Sequence, residues 1–407
     1  MRIVVIGGGQ AGASVVSKLR GLGFEGDILL FSGENEPPYE RPPLSKKHLL
    51  QEAPGTPVPV LPAEFWQENH VDLRLETIVD GIDPKGCSIR VGPDRVQFDH
   101  LVLATGSSAR RLPFEDTRHC KNLFHLRNLT DANNLHAQLE PGKAMVLIGG
   151  GYIGMELAAT ARMRGLKTTV IEREERILKR VASPELSGHI ADWHREQGVS
   201  VIEAAGPFRL SGKTVVDGVQ LGNGTGIPAD IIVAGIGAVP NTELAQVAGL
   251  SLDNGIAVDS FGRTSEPNIW AAGDCAAFVF EGRRIRLESV QNAIDQAETV
   301  AENILGANRE YTPTPTFWSE QFDHLVQIAG LYEPDMISVC RKSASGISYW
   351  HYKGDMLKAV EVVDDPKTFS VARRLLSDGK SPSPELVSSA ERNLKEILKA
   401  TRKAAAA

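Results

Sequence analysis

Gly7-Gly8-Gly9-Gln10-Ala11-Gly12 is the stretch that decides how this chain folds. It follows Ile3-Val4-Val5-Ile6, an apolar and largely β-branched run of the kind found in parallel strands buried on both faces. It leads into a helical pattern that continues through Arg20. The hexapeptide fits G-x-G-x-x-G, and each glycine has a job. The first permits a tight turn, the second lets backbone approach a pyrophosphate, and the third lets the helix pack closely on the strand. The helix N-terminus then offers amide donors and a positive dipole end to the phosphates. A second strand, Ile28 to Phe31, follows, and an acid at its end binds a ribose in such units. Ser32 stands at that end and Glu34 lies slightly beyond, so Glu34 is the candidate.

The device recurs. Met145-Val146-Leu147-Ile148 runs into Gly149-Gly150-Gly151-Tyr152-Ile153-Gly154, then a helix, then Thr168-Thr169-Val170-Ile171-Glu172. One glycine loop is weak evidence, because glycine-rich turns are common. Two copies, each in strand–turn–helix–strand context, are strong. The competing reading is two structural turns with no nucleotide. Two dinucleotide sites in one chain imply two different dinucleotides, with electrons passed between them. Glu172 stands in register to hydrogen-bond adenosine ribose hydroxyls and to repel a 2′-phosphate, which favours NADH over NADPH. Arg173, next in sequence, softens that preference.

Length and composition agree. A chain of 407 residues is expected to form two or three domains. Its 42% apolar and 23% charged residues are globular values. The net charge of −7 gives no general attraction to nucleic acid or anionic lipid. No apolar run approaches the ~18–20 residues of a membrane span. The N-terminal apolar run lacks a cleavage region and reads as a first strand rather than a signal peptide. The expected location is cytoplasmic. The four cysteines, Cys87, Cys120, Cys275 and Cys340, are far apart in sequence. That excludes a CxxC redox pair, a cysteine zinc site and a cysteine-ligated cluster. The 10 histidines form no metal motif, and no HExxH or catalytic-triad pattern occurs.

Beyond the two loops, further motifs carry a resemblance. They are Pro38-Tyr39-Glu40-Arg41-Pro42-Pro43-Leu44-Ser45-Lys46, Leu103-Ala104-Thr105-Gly106, Gly235-Ile236-Gly237-Ala238-Val239-Pro240-Asn241, Ala272-Gly273-Asp274, Glu288-Ser289-Val290-Gln291-Asn292-Ala293 and Phe317-Trp318-Ser319-Glu320-Gln321. Together they resemble the FAD-dependent, NADH-dependent ferredoxin reductases that feed cytochromes P450 and aromatic-ring dioxygenases. The resemblance covers nearly the whole chain.

The resemblance implies an α/β fold of glutathione-reductase type, with two Rossmann-like dinucleotide-binding domains and a C-terminal α+β domain. The implied layout is 1–112 and 242–312 for FAD, 113–241 for NADH and 313–407 for the C-terminal domain. Thr312-Pro313-Thr314-Pro315 reads as the last linker. After it, His324–Leu331, Ile337–Arg341 and Ile347–Val363 alternate as an antiparallel sheet would. Helical patterns follow at Thr368–Leu376 and Glu385–Arg402, and Ala404–Ala407 carries no signal.

For the site, the resemblance implies FAD on Gly7, Gly9, Gln10, Ala11 and Gly12, with Glu34, Arg41, Ala104, Thr105, Gly106 and Gly237 contributing. NADH falls to Gly149, Gly151, Tyr152, Ile153, Gly154 and Glu172. Gly273-Asp274 is implied to meet the ribityl chain, although Asp274 also reads as a helix N-cap. Lys46 is implied near flavin N5, paired with Glu156, and Pro42-Pro43 fix the backbone before it. Tyr152 is implied to cover the flavin and to move aside for nicotinamide; by itself it reads as a packed interface aromatic. Trp318 is implied at the flavin edge as a route for electrons. The helix starting near Ser289-Val290 is implied to aim its dipole at the flavin; Val290 stands where some relatives carry a tryptophan. The implied reaction takes hydride from NADH to flavin and then sends single electrons to a [2Fe–2S] ferredoxin. Arg283-Arg284-Ile285-Arg286 is the candidate docking patch, against the plainer reading of a solvated strand. The implied oligomeric state is a monomer or weak dimer.

Two other readings are weaker. Disulfide and peroxide reductases on this scaffold need a thiol near the first helix, and the first cysteine is Cys87. Cys275 beside the flavin motif reads as a buried filler. A non-catalytic, NADH-sensing flavoprotein resembling apoptosis-inducing factor favours a basic surface and a presequence, and the sequence shows neither.

Overall fold

A computed structural model describes residues 1–114, 119–389 and 393–404. The chain divides into two compact units. One comprises Met1–Glu40, Thr56–Ser108 and Ala238–Pro313, and the other Arg41–Gly55, Ala109–Gly237 and Thr314–Ala407.

In the first unit a parallel sheet runs Ile269–Ala271, His100–Leu103, Arg2–Ile6, Asp27–Phe31, Val71–Arg74 in spatial order. Strand side chains alternate between faces. Ile3 and Val5 therefore join Val15, Val16 and Leu19 of helix Gln10–Gly21 and Val300 and Ile304 of helix Val290–Ile304. Val4 and Ile6 point the other way, into a cluster with Leu101, Leu103 and Ile89. Ile89 belongs to a small antiparallel sheet, Gly81–Asp83, Ser88–Val91 and Asp94–Gln97. Both faces of Ile3–Ile6 are covered, which is why these four positions are all apolar.

The second unit repeats the plan. Its parallel sheet runs Ser200–Ile202, Lys167–Ile171, Ala144–Ile148, Ile231–Ala234, Leu123–Phe124. Helix Tyr152–Met163 follows the glycine loop, and an antiparallel sheet is again present, Phe208–Gly212, Val216–Leu221 and Gly226–Pro228. The unit also contains a five-stranded antiparallel sheet in the order Thr316–Gln321, His324–Gly330, Met356–Val363, Ile347–Lys353, Ile337–Lys342. Trp350, Tyr352, Val360 and Val362 of this sheet pack on Ala372 and Leu375 of helix Pro366–Ser377. The fold is the mixed α/β architecture expected, with two Rossmann-like sheets and a C-terminal α+β part. The alternating stretch Ile347–Val363 divides into two strands at Gly354, whose φ is +57°. The helical pattern Glu385–Arg402 divides as well, into Pro384–Ser388 and Leu394–Ala404; residues 390–392 between them, and Ala405–Ala407 of the tail, lie outside the described residues.

Two glycines are fixed by sterics alone. Gly7 has φ +125°, and a Cβ there would sit 2.0 Å from the Ala104 carbonyl oxygen. Gly149 has φ +107°, and a Cβ there would sit 2.4 Å from the Gly235 carbonyl oxygen. In each unit the chain leaving the central strand crosses hard against the chain leaving its neighbour. Gly149→Ala is therefore expected to destabilise the protein by about 2–4 kcal/mol. Gly151→Ala, whose Cβ meets open space on an extended backbone, is expected to stay within about 0.5 kcal/mol of the parent. Thermal and denaturant unfolding followed by circular dichroism checks both; equal losses would contradict the steric account.

Candidate functional site

The two glycine loops have the same local build. A Cβ on Gly12 would meet the Gly7 carbonyl oxygen at 2.0 Å, and one on Gly154 would meet the Gly149 carbonyl oxygen at 2.2 Å. The third glycine of each motif thus seats its helix on its own loop. Gly9 and Gly151 are the N-caps, both in extended conformation. Neither helix has a side-chain cap or an acidic residue in its first turn. Uncapped first-turn amides at a positive dipole end suit an anion, and a pyrophosphate fits this chemistry. Gln10 bends along its helix to Ser14 Oγ at 3.3 Å, and Ile153 is 44% exposed in the first turn of the other helix.

Beyond the loops the two copies differ. The register pairs Ile6 with Phe31 and Ile148 with Ile171, so Ser32 and Glu172 hold matching places. Glu172 accepts the Gly150 N–H on Oε2 at 2.7 Å and the Glu174 N–H on Oε1 at 2.8 Å. The acid is pinned to its own glycine loop. Ser32 Oγ accepts the Glu34 N–H at 3.2 Å, and Tyr39 donates its hydroxyl to Glu34 Oε2 at 2.5 Å. Arg173 is largely exposed and pairs with Glu174 at 3.2 Å, as does Lys179 at 3.3 Å.

In the first unit, Thr105 donates to the Asn241 carbonyl at 2.7 Å and Asn241 Nδ2 returns a bond to the Thr105 carbonyl at 2.8 Å. Ser107 donates to Asp274 Oδ2 at 3.0 Å. Ala104 is buried, and Gly106 and Gly273 both have positive φ. The Gly273 N–H is held by Gln296 Oε1 at 2.9 Å. The residues after Asp274 form strand Ala276–Phe280, so Asp274 caps no helix and that alternative is corrected. Cys275 is fully buried, and burial raises its thiol pKa. Ser289 caps helix Val290–Ile304 by accepting the Asn292 N–H at 3.2 Å. In the second unit, Gly237 has φ +107° and lies by the Arg180 and Arg110 side chains.

The arginine run is less available than its sequence suggests. Arg283–Ile285 is a strand. Arg284 donates to the Val258 and Ala277 carbonyls at 3.0 and 2.9 Å. Arg286, with 10% of its side chain exposed, donates to the Asn254 and Asp274 carbonyls and pairs with Glu288. Arg283 is the exposed member.

The second unit brings Lys46 and Glu156 together. Pro42–Ser45 forms a 3-10 turn that delivers Lys46, whose Nζ lies 2.8 Å from Glu156 Oε2. Glu156 sits on helix Tyr152–Met163 with 5% exposure. Ser45 donates to the same Oε2 at 2.5 Å, and Ser319 donates to Oε1 at 2.7 Å. Thr160 ties the turn to the helix by donating to the Ser45 carbonyl at 2.8 Å. Arg41 reaches the Arg127 carbonyl at 2.8 Å. The Tyr152 ring lies 4.3 Å from that of Phe317 at 31°. Its buried hydroxyl finds no partner among the described residues, and burial, with Glu361 and Glu156 adding to it, raises its pKa well above the usual phenol range. Trp318 lies between Phe317 and Ser319 on the same strand, half-buried.

Ser45, Ser319, Gln321, His194 and Phe317 were not among the sequence candidates, although three of them lie inside the Phe317–Gln321 motif. Gln321 donates to Ser319 Oγ at 3.0 Å, and its Oε1 lies 2.9 Å from His194 Nε2. His194 is fully buried, and burial lowers its pKa from 6.5 to about 4. An imidazole that charges near pH 6.5 when unfolded but not when folded takes up protons preferentially in the unfolded chain. Stability is then complete above about pH 6.5 and falls as pH drops towards 4, by roughly 3 kcal/mol. His194→Gln, which keeps a donor for Gln321 but cannot titrate, is expected to flatten that part of the pH–stability curve. Urea unfolding across that range reads the difference, and parallel curves for the two proteins would refute it.

Comparisons with known proteins identify the family. The model of the pyridine nucleotide-disulphide oxidoreductase family matches residues 1–297, and a reductase C-terminal domain matches residues 316–398. The chain is 38% identical to rhodocoxin reductase of Rhodococcus erythropolis over 97% of its own length and 94% of the relative's. It is 38% identical to the 5,5′-dehydrodivanillate O-demethylase ferredoxin reductase subunit of Sphingobium sp., over 97% of each chain. Among solved structures, the reductase in a covalent putidaredoxin reductase–putidaredoxin complex superposes with a TM-score of 0.93 at 34% identity, covering 98% of this chain and 99% of that one.

Proposed function

The chain belongs to the pyridine nucleotide-disulphide oxidoreductase family, and from that membership we propose a ferredoxin reductase carrying electrons from NADH, through FAD, to a [2Fe–2S] ferredoxin that serves a cytochrome P450 or ring-hydroxylating dioxygenase. It is an oxidoreductase with FAD and NADH as cofactors. The observation that carries the reading is the pair of uncapped phosphate cradles in one chain, one ending at Ser32 and the other at Glu172. Full-length similarity to reductases of such electron-transfer chains supports the ferredoxin as partner.

Bound FAD supplies the conversion of a two-electron donor into single-electron steps. The residues around it bind, orient and hold charge. We assign the first loop, Gly7, Gly9, Gln10, Ala11 and Gly12, to the FAD pyrophosphate, and Glu34 with Ser32 to the adenosine ribose. Asp274, oriented by Ser107, takes the ribityl hydroxyls, next to Ala104–Gly106 and Gly273. The second loop and Glu172 take NADH. With both carboxylate oxygens already accepting backbone N–H groups, Glu172 is fixed as a negative group that a 2′-phosphate must approach, and NADH is favoured. Lys46, paired with Glu156, holds a positive charge at the flavin. Trp318 marks the side from which the ferredoxin receives electrons. The layout is 1–112 and 242–312 for FAD, 113–241 for NADH and 313–407 for the C-terminal domain. Among the described residues no helix is long and apolar enough to cross a membrane; the location proposed is cytoplasmic.

Anaerobic titration with NADH is expected to bleach the visible flavin bands of the purified protein. Reduction of cytochrome c by NADH should accelerate when a [2Fe–2S] ferredoxin is added. A colourless preparation that takes up no FAD would overturn the cofactor reading, and absence of stimulation by several ferredoxins would overturn the partner.

For docking, the internal bonds of Arg284 and Arg286 redirect the test. Charge reversal there breaks bonds to backbone carbonyls, and Arg283, the exposed member of the run, is the position tested. Arg283→Glu is expected to raise KM for an acidic ferredoxin several-fold and to flatten its salt dependence. NADH-to-ferricyanide activity should stay unchanged. An unaltered KM at low salt would remove this strand from the docking surface.

A further inference from the structure

Strand Thr316–Gln321 sends Ser319 and Gln321 to the same face, and both side chains are buried, at 0% and 1% exposure. They continue a single hydrogen-bonded line within the second unit: His194, Gln321, Ser319, Glu156, Lys46. The direction of every hydrogen in it follows from one fact. An ionised carboxylate only accepts. Ser319 must spend its one hydroxyl hydrogen on Glu156 Oε1, so its oxygen accepts from Gln321 Nε2. Gln321 Oε1 is then left facing His194, which must donate through Nε2–H. His194 Nδ1 has no partner among the described residues, so a second proton on that ring would face no acceptor. The depressed pKa of His194 agrees with a neutral ring of one tautomer. All donors point towards Glu156, and bonds so aligned reinforce one another.

We infer that Ser319, Gln321 and His194 are positioning residues that fix the Glu156 carboxylate, and through it the Lys46 ammonium, in the orientation required at the flavin. The inference deepens the proposed function and rests on its placement of the Lys46–Glu156 pair beside FAD. Without the line, Glu156 Oε1 loses its one hydroxyl donor while Oε2 keeps two partners, Lys46 and Ser45. The carboxylate is then free to rotate and carry Lys46 with it. The other titratable groups on this side are Tyr152 of the same helix and Glu361 of strand Met356–Val363. The Tyr152 hydroxyl makes no bond to Glu156 among the described residues, and Glu361 is a carboxylate already engaged by Ser183 and His351, so Ser319 is the hydroxyl that holds Glu156 Oε1.

The test uses the FAD-loaded protein and the variants Ser319→Ala, Gln321→Met and Ser319→Thr, with Glu156→Gln as reference. Two quantities are read: the FAD midpoint potential by dye-coupled titration, and the limiting rate and half-saturating NADH concentration of flavin reduction by stopped flow. Loss of the bond to the charged Glu156 predicts a roughly tenfold slower limiting rate for Ser319→Ala, and loss of the neutral bond that orients Ser319 a smaller fall, about threefold, for Gln321→Met. Half-saturation should be unchanged and the potential displaced. Ser319→Thr, which keeps the hydroxyl, should restore both. If Glu156→Gln alters rate and potential but Ser319→Ala and Gln321→Met do not, the positioning line is refuted. If those variants lose thermal stability or FAD content while rate and potential per bound flavin stay as in the parent, their role is structural and the inference also fails. If Glu156→Gln itself changes neither quantity, the placement of the pair at the flavin is what fails.

Discussion

A carboxylate removed from water has to be compensated on the spot, and Glu156 imposes that requirement on the second unit. At 5% exposure it needs a cation and hydrogen-bond donors within bonding distance. They come from two places far from Glu156 in sequence: Lys46 and Ser45 from a turn, and Ser319 from the C-terminal sheet. This explains why Arg41–Gly55 packs with the second unit rather than with the residues on either side of it. Supporting bonds reinforce the choice. Arg164 donates to the carbonyls of Leu49 and Gln51, His136 lies 2.8 Å from the Gln51 carbonyl, and His48 lies 2.9 Å from Asn133 Oδ1. The doubled proline before Ser45 confines the backbone of the turn, so Lys46 reaches Glu156 with little of its freedom left to lose.

The glycine loops answer to a different constraint. At the first and third positions the backbone itself forbids a side chain, because a Cβ would overlap a carbonyl oxygen of the same unit. At Gly151 nothing among the described residues occupies the space, and on the function proposed the need for glycine comes from the ligand. The sequence motif therefore merges two demands that the structure separates, one on stability and one on binding.

Much of the architecture was legible because its signals are local. Continuous apolar runs before each loop mark strands covered on both faces, and the paired glycines mark the crossings. Glu172 was legible because it follows its strand in register. The Lys46–Glu156 pair came from resemblance and not from pattern, since a lysine after a proline pair and a glutamate inside an alanine-rich helix carry no joint signal. Ser319, Gln321 and His194 escaped for a physical reason. Thr316–Gln321 shows no clean alternation, so nothing local says which face is buried, and the histidine partner lies more than a hundred residues away. The arginine run shows what a pattern of charges leaves out. Three basic residues within four positions read as a surface patch, yet two of them bind backbone carbonyls, because a guanidinium has five donors and a nearby chain with unmet acceptors competes well with water.

The two copies of the phosphate device diverge where their ligands would. They share what backbone sterics dictate: the positive φ at the first glycine, the close approach at the third, and an uncapped helix start. They part company at the end of the second strand. There a serine stands in one and a glutamate, bound to its own loop through Gly150, in the other. On the function proposed, a carboxylate anchored to the loop couples ribose recognition to phosphate recognition, because a shift in either moves the other. In the first copy the acid is displaced to Glu34 and held from outside the loop by Tyr39. That arrangement separates the two tasks, as suits a cofactor that stays bound, while the coupled one suits a coenzyme that must arrive and leave on every turnover.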